Sequence, residues 1–151
     1  MKNILVTIDF EEKTKDLLDN AKQLAKKFDS KVWVIHIVEH QTDIVGYPES
    51  FQYGVQYMNI REERAQELKK EHKIVQEYSK LLIKAGIDSE ALLIEGPTVK
   101  VILDEAIKLK IDLIIIGSHK HSFLYNALIE STEAALIRKS NIPILVVPLN
   151  T

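Results

Sequence analysis

The sequence predicts an open α/β fold, a five-stranded parallel sheet in the order 3-2-1-4-5 with two helices on each face. Three observations lead there. Short apolar runs rich in Val and Ile alternate with longer stretches of helical periodicity, which is the pattern of strand–helix units. The strand runs are apolar nearly throughout, as expected of parallel strands covered on both faces. Right-handed crossovers then leave few topologies. One of these puts the first strand centrally, with strands two and three on one side and four and five on the other.

Residues 3–8, NILVTI, form the first strand, which stops at Asp9. Leu17, Leu18, Ala21, Leu24, Ala25 and Phe28 then recur at helical spacing with Lys and Asp on the opposite face, and Asp29 and Ser30 close that helix. KVWVIHIV at 31–38 is a second strand rich in β-branched residues. Its His36 reads as a hydrogen-bonded core histidine and not as a ligand. Residues 39–58 break the periodicity with Gly46, Pro48 and Gly54 and carry Tyr47, Phe51, Tyr53 and Tyr57. They read as a long loop, either functional or tacked onto the body by its aromatics.

Asn59 and Glu62 have the spacing of a capping box and open a long amphipathic helix. Its apolar line is Ala65, Leu68, Val75, Tyr78, Leu82 and Ala85, with His72 on the same line, and Gly86 ends it as a C′ glycine. The charged face at 61–73 reads as solvated, with Glu/Lys pairs about a turn apart. Residues 88–95 give the third strand. Gly96 and Pro97 turn the chain into a helix whose buried face is Val99, Ile102, Leu103, Ala106 and Ile107. Residues 113–116 are the fourth strand, and a polar loop and a last helix lead to the fifth at 144–147.

A chain of 151 residues fits a single domain, 1–151, able to bury a core without disulfides or metal. Charged residues at 28% and hydrophobic ones at 46% are the balance of a soluble globular protein. No run approaches ~18 consecutive apolar residues, so no membrane span is expected. The 22 acidic and 20 basic residues are interspersed, which argues against nucleic acid as a partner. Cysteine is absent, excluding disulfides, thiolate catalysis and Cys-ligated zinc. The start, MKNILVTIDF, lacks the apolar core and small-residue cleavage site of a signal peptide, so the expected compartment is cytoplasmic.

In the predicted sheet the order reverses between strands one and four, and ligands bind at such a point. Asp9 and Gly117 end those strands and should lie side by side. Asp9 has two readings: a hydrogen-bond acceptor for adenine or ribose, or a cap on the first helix. Gly117 either admits a phosphate close to the backbone or makes the turn out of the strand. Ser118, His119, Lys120, His121 and Ser122 carry one fixed positive charge ahead of the last helix and suit anion binding better than catalysis. A Ser beside a His in sequence is not a nucleophile–base pair, and no Gly-x-Ser-x-Gly elbow surrounds it. His119 and His121 lack a third ligand nearby for a metal. No catalytic residue and no metal site is therefore assigned. Walker and dinucleotide glycine motifs are absent.

ILVTIDF, VWVIHIV, EGPTVKVILDEAIKLKIDLIIIGSH and KSNIPILVVP, in that order, resemble the universal stress protein (UspA-like) family over nearly the whole chain. The resemblance implies a Rossmann-like, adenine nucleotide alpha hydrolase-like sheet of the same strand order. It also implies a pattern in ATP-binding members: a Gly, two residues, a second Gly, nine residues, and a third Gly followed by Ser or Thr. Gly117 matches the first glycine and Ser131 the hydroxyl residue, but Lys120 and Glu130 stand at the other two glycines. Their side chains would crowd a phosphate. Glu130 adds a like charge, worth about 1 kcal/mol at ~4 Å in water and several times that at a protein surface, which Lys120 offsets in part. Asp9 matches the acidic residue near base and ribose, and Ile37 or Val38 falls where an apolar residue packs on adenine.

The implied nucleotide site is Asp9, Ile37, Val38, Gly117, Ser118, His119, Lys120 and Ser131, with its nucleoside half retained and its phosphate half altered. The expected function is that of a non-enzymatic stress-response protein that acts through protein partners and holds ATP or AMP, with Mg²⁺, weakly or not at all. The alternative is a nucleotide-binding regulatory module with slow ATPase activity. A homodimer is expected through the last strand, Ile144, Leu145, Val146 and Val147, because a bare apolar edge is a pairing hazard that an antiparallel second copy would cover.

Overall fold

The computed structural model describes residues 1–10, 13–39, 54–119 and 131–149. Five strands and four helices alternate along it: β1 (Asn3–Thr7), α1 (Thr14–Phe28), β2 (Lys31–Val38), α2 (Gly54–Lys84), β3 (Ser89–Glu95), α3 (Thr98–Lys108), β4 (Leu113–His119), α4 (Thr132–Lys139) and β5 (Ile144–Leu149). The strands form one parallel sheet in the order β3-β2-β1-β4-β5, as the alternation predicts. At its centre Val6 stands between Val34 of β2 and Ile115 of β4.

Ile4, Leu5 and Val6 are all fully buried, which is why β1 reads as an unbroken apolar run. Ile4 and Val6 join Val32, Val34 and Ile115 in a layer against Leu17, Leu18 and Ala21 of α1 and Val75 and Leu82 of α2. Leu5 joins Ile35, Ile114 and Ile116 on the other face, against Ile102 and Ala106 of α3 and Leu136 of α4. Two helices thus cover each face.

The chain reversals have local causes. Asp29 takes the left-handed conformation (φ 52°) and its N–H closes α1 on the carbonyl of Ala25, with Lys26 and Lys27 favourably placed at the negative end of the helix. Gly86, at φ 82°, ends α2 as expected. At the amino-terminal edge of the sheet the Asp112 carboxylate accepts hydrogen bonds from the backbone N–H of Lys2 (2.6 Å) and Asn3 (3.0 Å), tying β4 to β1. The Asn3 and Lys2 N–H groups hold that carboxyl below its ordinary range.

Several boundaries differ from the sequence reading. The long helix starts at Gly54, so Asn59 lies inside it and does not cap it. Extending a formed helix costs little per residue, and residues 54–58 contain no proline. On α2, Val75 and Leu82 are buried but Ala65 and His72 are exposed. At 31 residues the helix is about 46 Å long, against about 26 Å for the longest strand, and its first turns pass beyond the described sheet. Ile107 is 73% exposed and leaves the buried face of α3 to Ile102 and Ala106. Phe28 is likewise exposed. β4 does not end at Gly117 but runs to His119, because β5 continues beside it: Gly117 pairs with Val147, Ser118 with Pro148 and His119 with Leu149. Most of the expected loop, 40–53, and the segment 120–130 lie outside the described residues.

Candidate functional site

A cavity of about 430 Å³ opens at the carboxyl ends of β1, β2 and β4, where α3 and α4 begin. Crossovers from β1 and β4 run to opposite sides of the sheet, and the crevice between them is what such a reversal leaves. Asp9 and Gly117 both line it, together with Ile35 and Ile37 of β2, Ile102 of α3, and Ser131, Glu133 and Leu136 of the α4 region.

The loop after β1 is held by an aromatic clasp. Phe10 adopts φ 64°, rare for a bulky residue, and its ring packs on His36 with centroids 3.9 Å apart. The His36 Nδ1 lies 2.8 Å from the carbonyl oxygen of Ile8. A carbonyl only accepts, so Nδ1 carries the proton. His36 is hydrogen-bonded as the sequence suggests, but it lies in the cavity wall and not in the core.

Asp9 is exposed at the cavity. The N-cap of α1 is Lys13. Of the two β2 candidates, Ile37 lines the cavity and Val38 does not. Gly117 makes no turn. A Cβ there would stand 2.5 Å from Leu149 Cδ1 and 3.3 Å from Leu17 Cδ1, so the position is glycine because two core leucines fill the space.

Ser131 is the N-cap of α4: its Oγ accepts from the N–H of Ala134 at 3.2 Å. Glu133 follows in the first turn, its charge suited to the positive end of the helix. On the far side, the Thr98 hydroxyl donates to Glu39 Oε1 at 2.9 Å, joining the end of β2 to the start of α3. Asp9, Glu39 and Glu133 give the described wall three carboxylates, and no Lys or Arg stands among the described residues that line it. Among the described residues no group of three or more His, Cys, Asp or Glu is placed to hold a metal ion. None of the described helices is long and apolar enough to cross a membrane.

The model of the universal stress protein family matches residues 1–148. The chain belongs to that family. Universal stress protein MJ0531 of Methanocaldococcus jannaschii is 27% identical over 146 residues, which span 97% of this chain and 81% of the relative. The solved structure of protein MJ0577 superposes with a TM-score of 0.75 at 25% identity, covering 99% of this chain and 96% of that one. A universal stress protein in complex with cAMP superposes at 0.68 with 20% identity (97% and 96% covered). The universal stress protein from Archaeoglobus fulgidus in complex with dAMP does so at 0.62 with 17% identity (97% and 97%). At those two identities the likeness is one of fold.

In this universal stress protein the cavity brings together Asp9, Ile37, Gly117 and Ser131 from the residues expected on sequence. Val38 is turned away. Ser118, paired with Pro148 in β4, is not among the lining residues. His119 is placed by its backbone beside Leu149. Lys120, Glu130, His121 and Ser122 lie outside the described residues. Sequence reasoning missed Glu39, Thr98 and Glu133. A usable signal was present: Glu39 ends its strand as Asp9 does, and Thr98 and Glu133 open helices facing the same edge. β5 is an edge strand paired to β4 alone among the described strands, with Ile144, Leu145 and Val146 half-buried and Val147 buried.

Proposed function

We propose that this universal stress protein is a non-enzymatic stress-response module, dimeric through β5, whose cavity takes the nucleoside part of an adenine nucleotide and holds ATP only weakly. The observation that carries the reading is the pairing of Asp9 with Ile37 across one cavity at the sheet's reversal point. A carboxylate accepts hydrogen bonds from ribose hydroxyls or the adenine amine. Ile35, Ile37, Ile102 and Leu136 offer the apolar walls that a flat base requires. Two groups with chemical potential are engaged structurally, His36 by the Ile8 carbonyl and Ser131 by the α4 backbone, which favours binding over catalysis.

A second reading, an AMP- or ATP-binding regulatory module with slow ATPase activity, draws support from the complexes of two family structures with cAMP and dAMP. Calorimetric titration of nucleotide-free protein with adenosine, AMP and ATP plus Mg²⁺ separates the two. Adenosine should bind, and an ATP dissociation constant well below ~10 μM, worth more than about 7 kcal/mol, would overturn the weak-ATP reading. Lys120→Gly combined with Glu130→Gly should raise ATP affinity, restoring the glycines at both altered positions. Failure of adenosine to bind at millimolar concentration would overturn the assignment of the cavity.

A further inference from the structure

We infer that Glu133 sets the charge selectivity of the cavity, turning the amino end of α4 against phosphate and toward adenosine derivatives whose 5′ substituent is neutral or cationic. The inference rests on the adenosine reading above and specifies which derivatives the site admits.

A helix amino end facing a cavity ordinarily invites an anion, through its free N–H groups and its positive partial charge. On α4 both attractions are reduced from within the chain. The Ala134 N–H, one of the groups at that end without an intrahelical partner, is bonded to the Ser131 hydroxyl at 3.2 Å. Glu133, in the first turn, brings a full negative charge to the partial positive one. Across the cavity stand two further carboxylates, Asp9 and Glu39, the second held by Thr98 at the start of α3, whose amino end therefore also faces a carboxylate. Carboxylates on the described part of the wall add up to a negative field inside the recess. A phosphate chain meets that field with several like charges, adenosine meets it with none, and an ammonium group at the 5′ carbon meets it favourably.

Asp9 and Glu39 sit at strand ends, where a ribose or base can use them as acceptors. Glu133 alone of the three belongs to a helix, in the first turn of α4, so removing its charge changes the field at that helix end and leaves the two strand-end acceptors in place. That position singles it out as the residue whose change should alter selectivity.

The experiment compares Glu133→Gln with the unaltered full chain in calorimetric titrations, without metal, against adenosine, AMP, ATP and 5′-amino-5′-deoxyadenosine. Gln keeps the size and helical tendency of Glu while removing the charge. The ratio of ATP to adenosine affinity should rise on the order of tenfold, about 1.4 kcal/mol, with AMP between them. The ratio for the 5′-ammonium probe should fall. Both changes should shrink as salt is raised. Glu77→Gln, which removes the same charge from an exposed Lys80 pair on α2, should leave the ratios where they are. Unchanged ratios in Glu133→Gln, or equal changes in Glu77→Gln, overturn the role of Glu133 while adenosine binding still upholds the cavity reading. No adenosine binding to the unaltered chain overturns both.

Discussion

Gly117→Ala should destabilise the protein through a clash with Leu149. The added Cβ would lie 2.5 Å from Leu149 Cδ1, 3.1 Å from its Cγ and 3.3 Å from Leu17 Cδ1, whereas carbon atoms settle at about 3.5–4.0 Å. Leu149 must therefore retreat by roughly 1 Å, and at 1% exposure it has packed neighbours behind it, as does Leu17 at 2%. Overpacking of this kind costs about 1–3 kcal/mol. Replacing a strand glycine returns roughly 0.5–1 kcal/mol of backbone entropy, so the net loss should be about 1–2 kcal/mol. For a chain of this length each kcal/mol moves the thermal midpoint by about 2–4 °C, giving a fall of about 2–8 °C by circular dichroism. The contact itself is tested by a double-mutant cycle. Leu149→Ala alone should cost about 2–5 kcal/mol, but combined with Gly117→Ala the new methyl occupies part of the vacated space, and the two losses should fall short of their sum by about 1 kcal/mol or more. Additive losses, or a midpoint equal to that of the unaltered protein, would refute the packing account. A normal midpoint with weakened adenosine binding would instead make Gly117 a ligand-approach glycine.

Three further outcomes follow from named contacts. Val146→Lys should yield monomers in sedimentation while retaining its helical circular dichroism signal, and an unaltered chain already monomeric at micromolar concentration would dismiss β5 pairing. Ser131→Ala removes the hydroxyl that accepts from Ala134 and should cost about 1 kcal/mol in urea unfolding, with no loss pointing to an α4 that does not need its cap. The Asp112 carboxyl, lowered from 3.8 by the Asn3 and then the Lys2 N–H, is favoured charged in the fold, so it contributes stability above its unfolded pKa and loses it as pH falls through its folded one. The stability gap between the unaltered protein and Asp112→Asn should hold at neutral pH and close in acid below about pH 4, and a gap constant through that range would count against the hydrogen-bond assignment.

Much of the fold was legible because its determinants are local. A strand covered on both faces is apolar at nearly every position, and that is how residues 3–8, 31–38 and 113–116 read. The helical periodicity of α1 needs no knowledge of its neighbours. Crossover handedness then carries these local readings to the strand order, and the order predicts that Asp9 and Gly117 meet. What the linear pattern could not carry were quantities that depend on where an element stops relative to its neighbours. Ala65 and His72 follow the same helical line as Val75, yet they are exposed because α2 outruns the strands it packs on. Ile37 and Val38 are adjacent and similar, and only the placing of β2 among its neighbours decides which one meets the cavity. The reason for a glycine at 117 lies 32 positions away, since 149 − 117 = 32, in a leucine that β5 brings alongside. Glu39, Thr98 and Glu133 are unremarkable in their own segments, and they come to line one recess only when the end of β2 and the starts of α3 and α4 converge on the same edge of the sheet. Periodicity reports what a residue does within its own element, whereas a site is built from the ends of several elements, whose positions are set by packing.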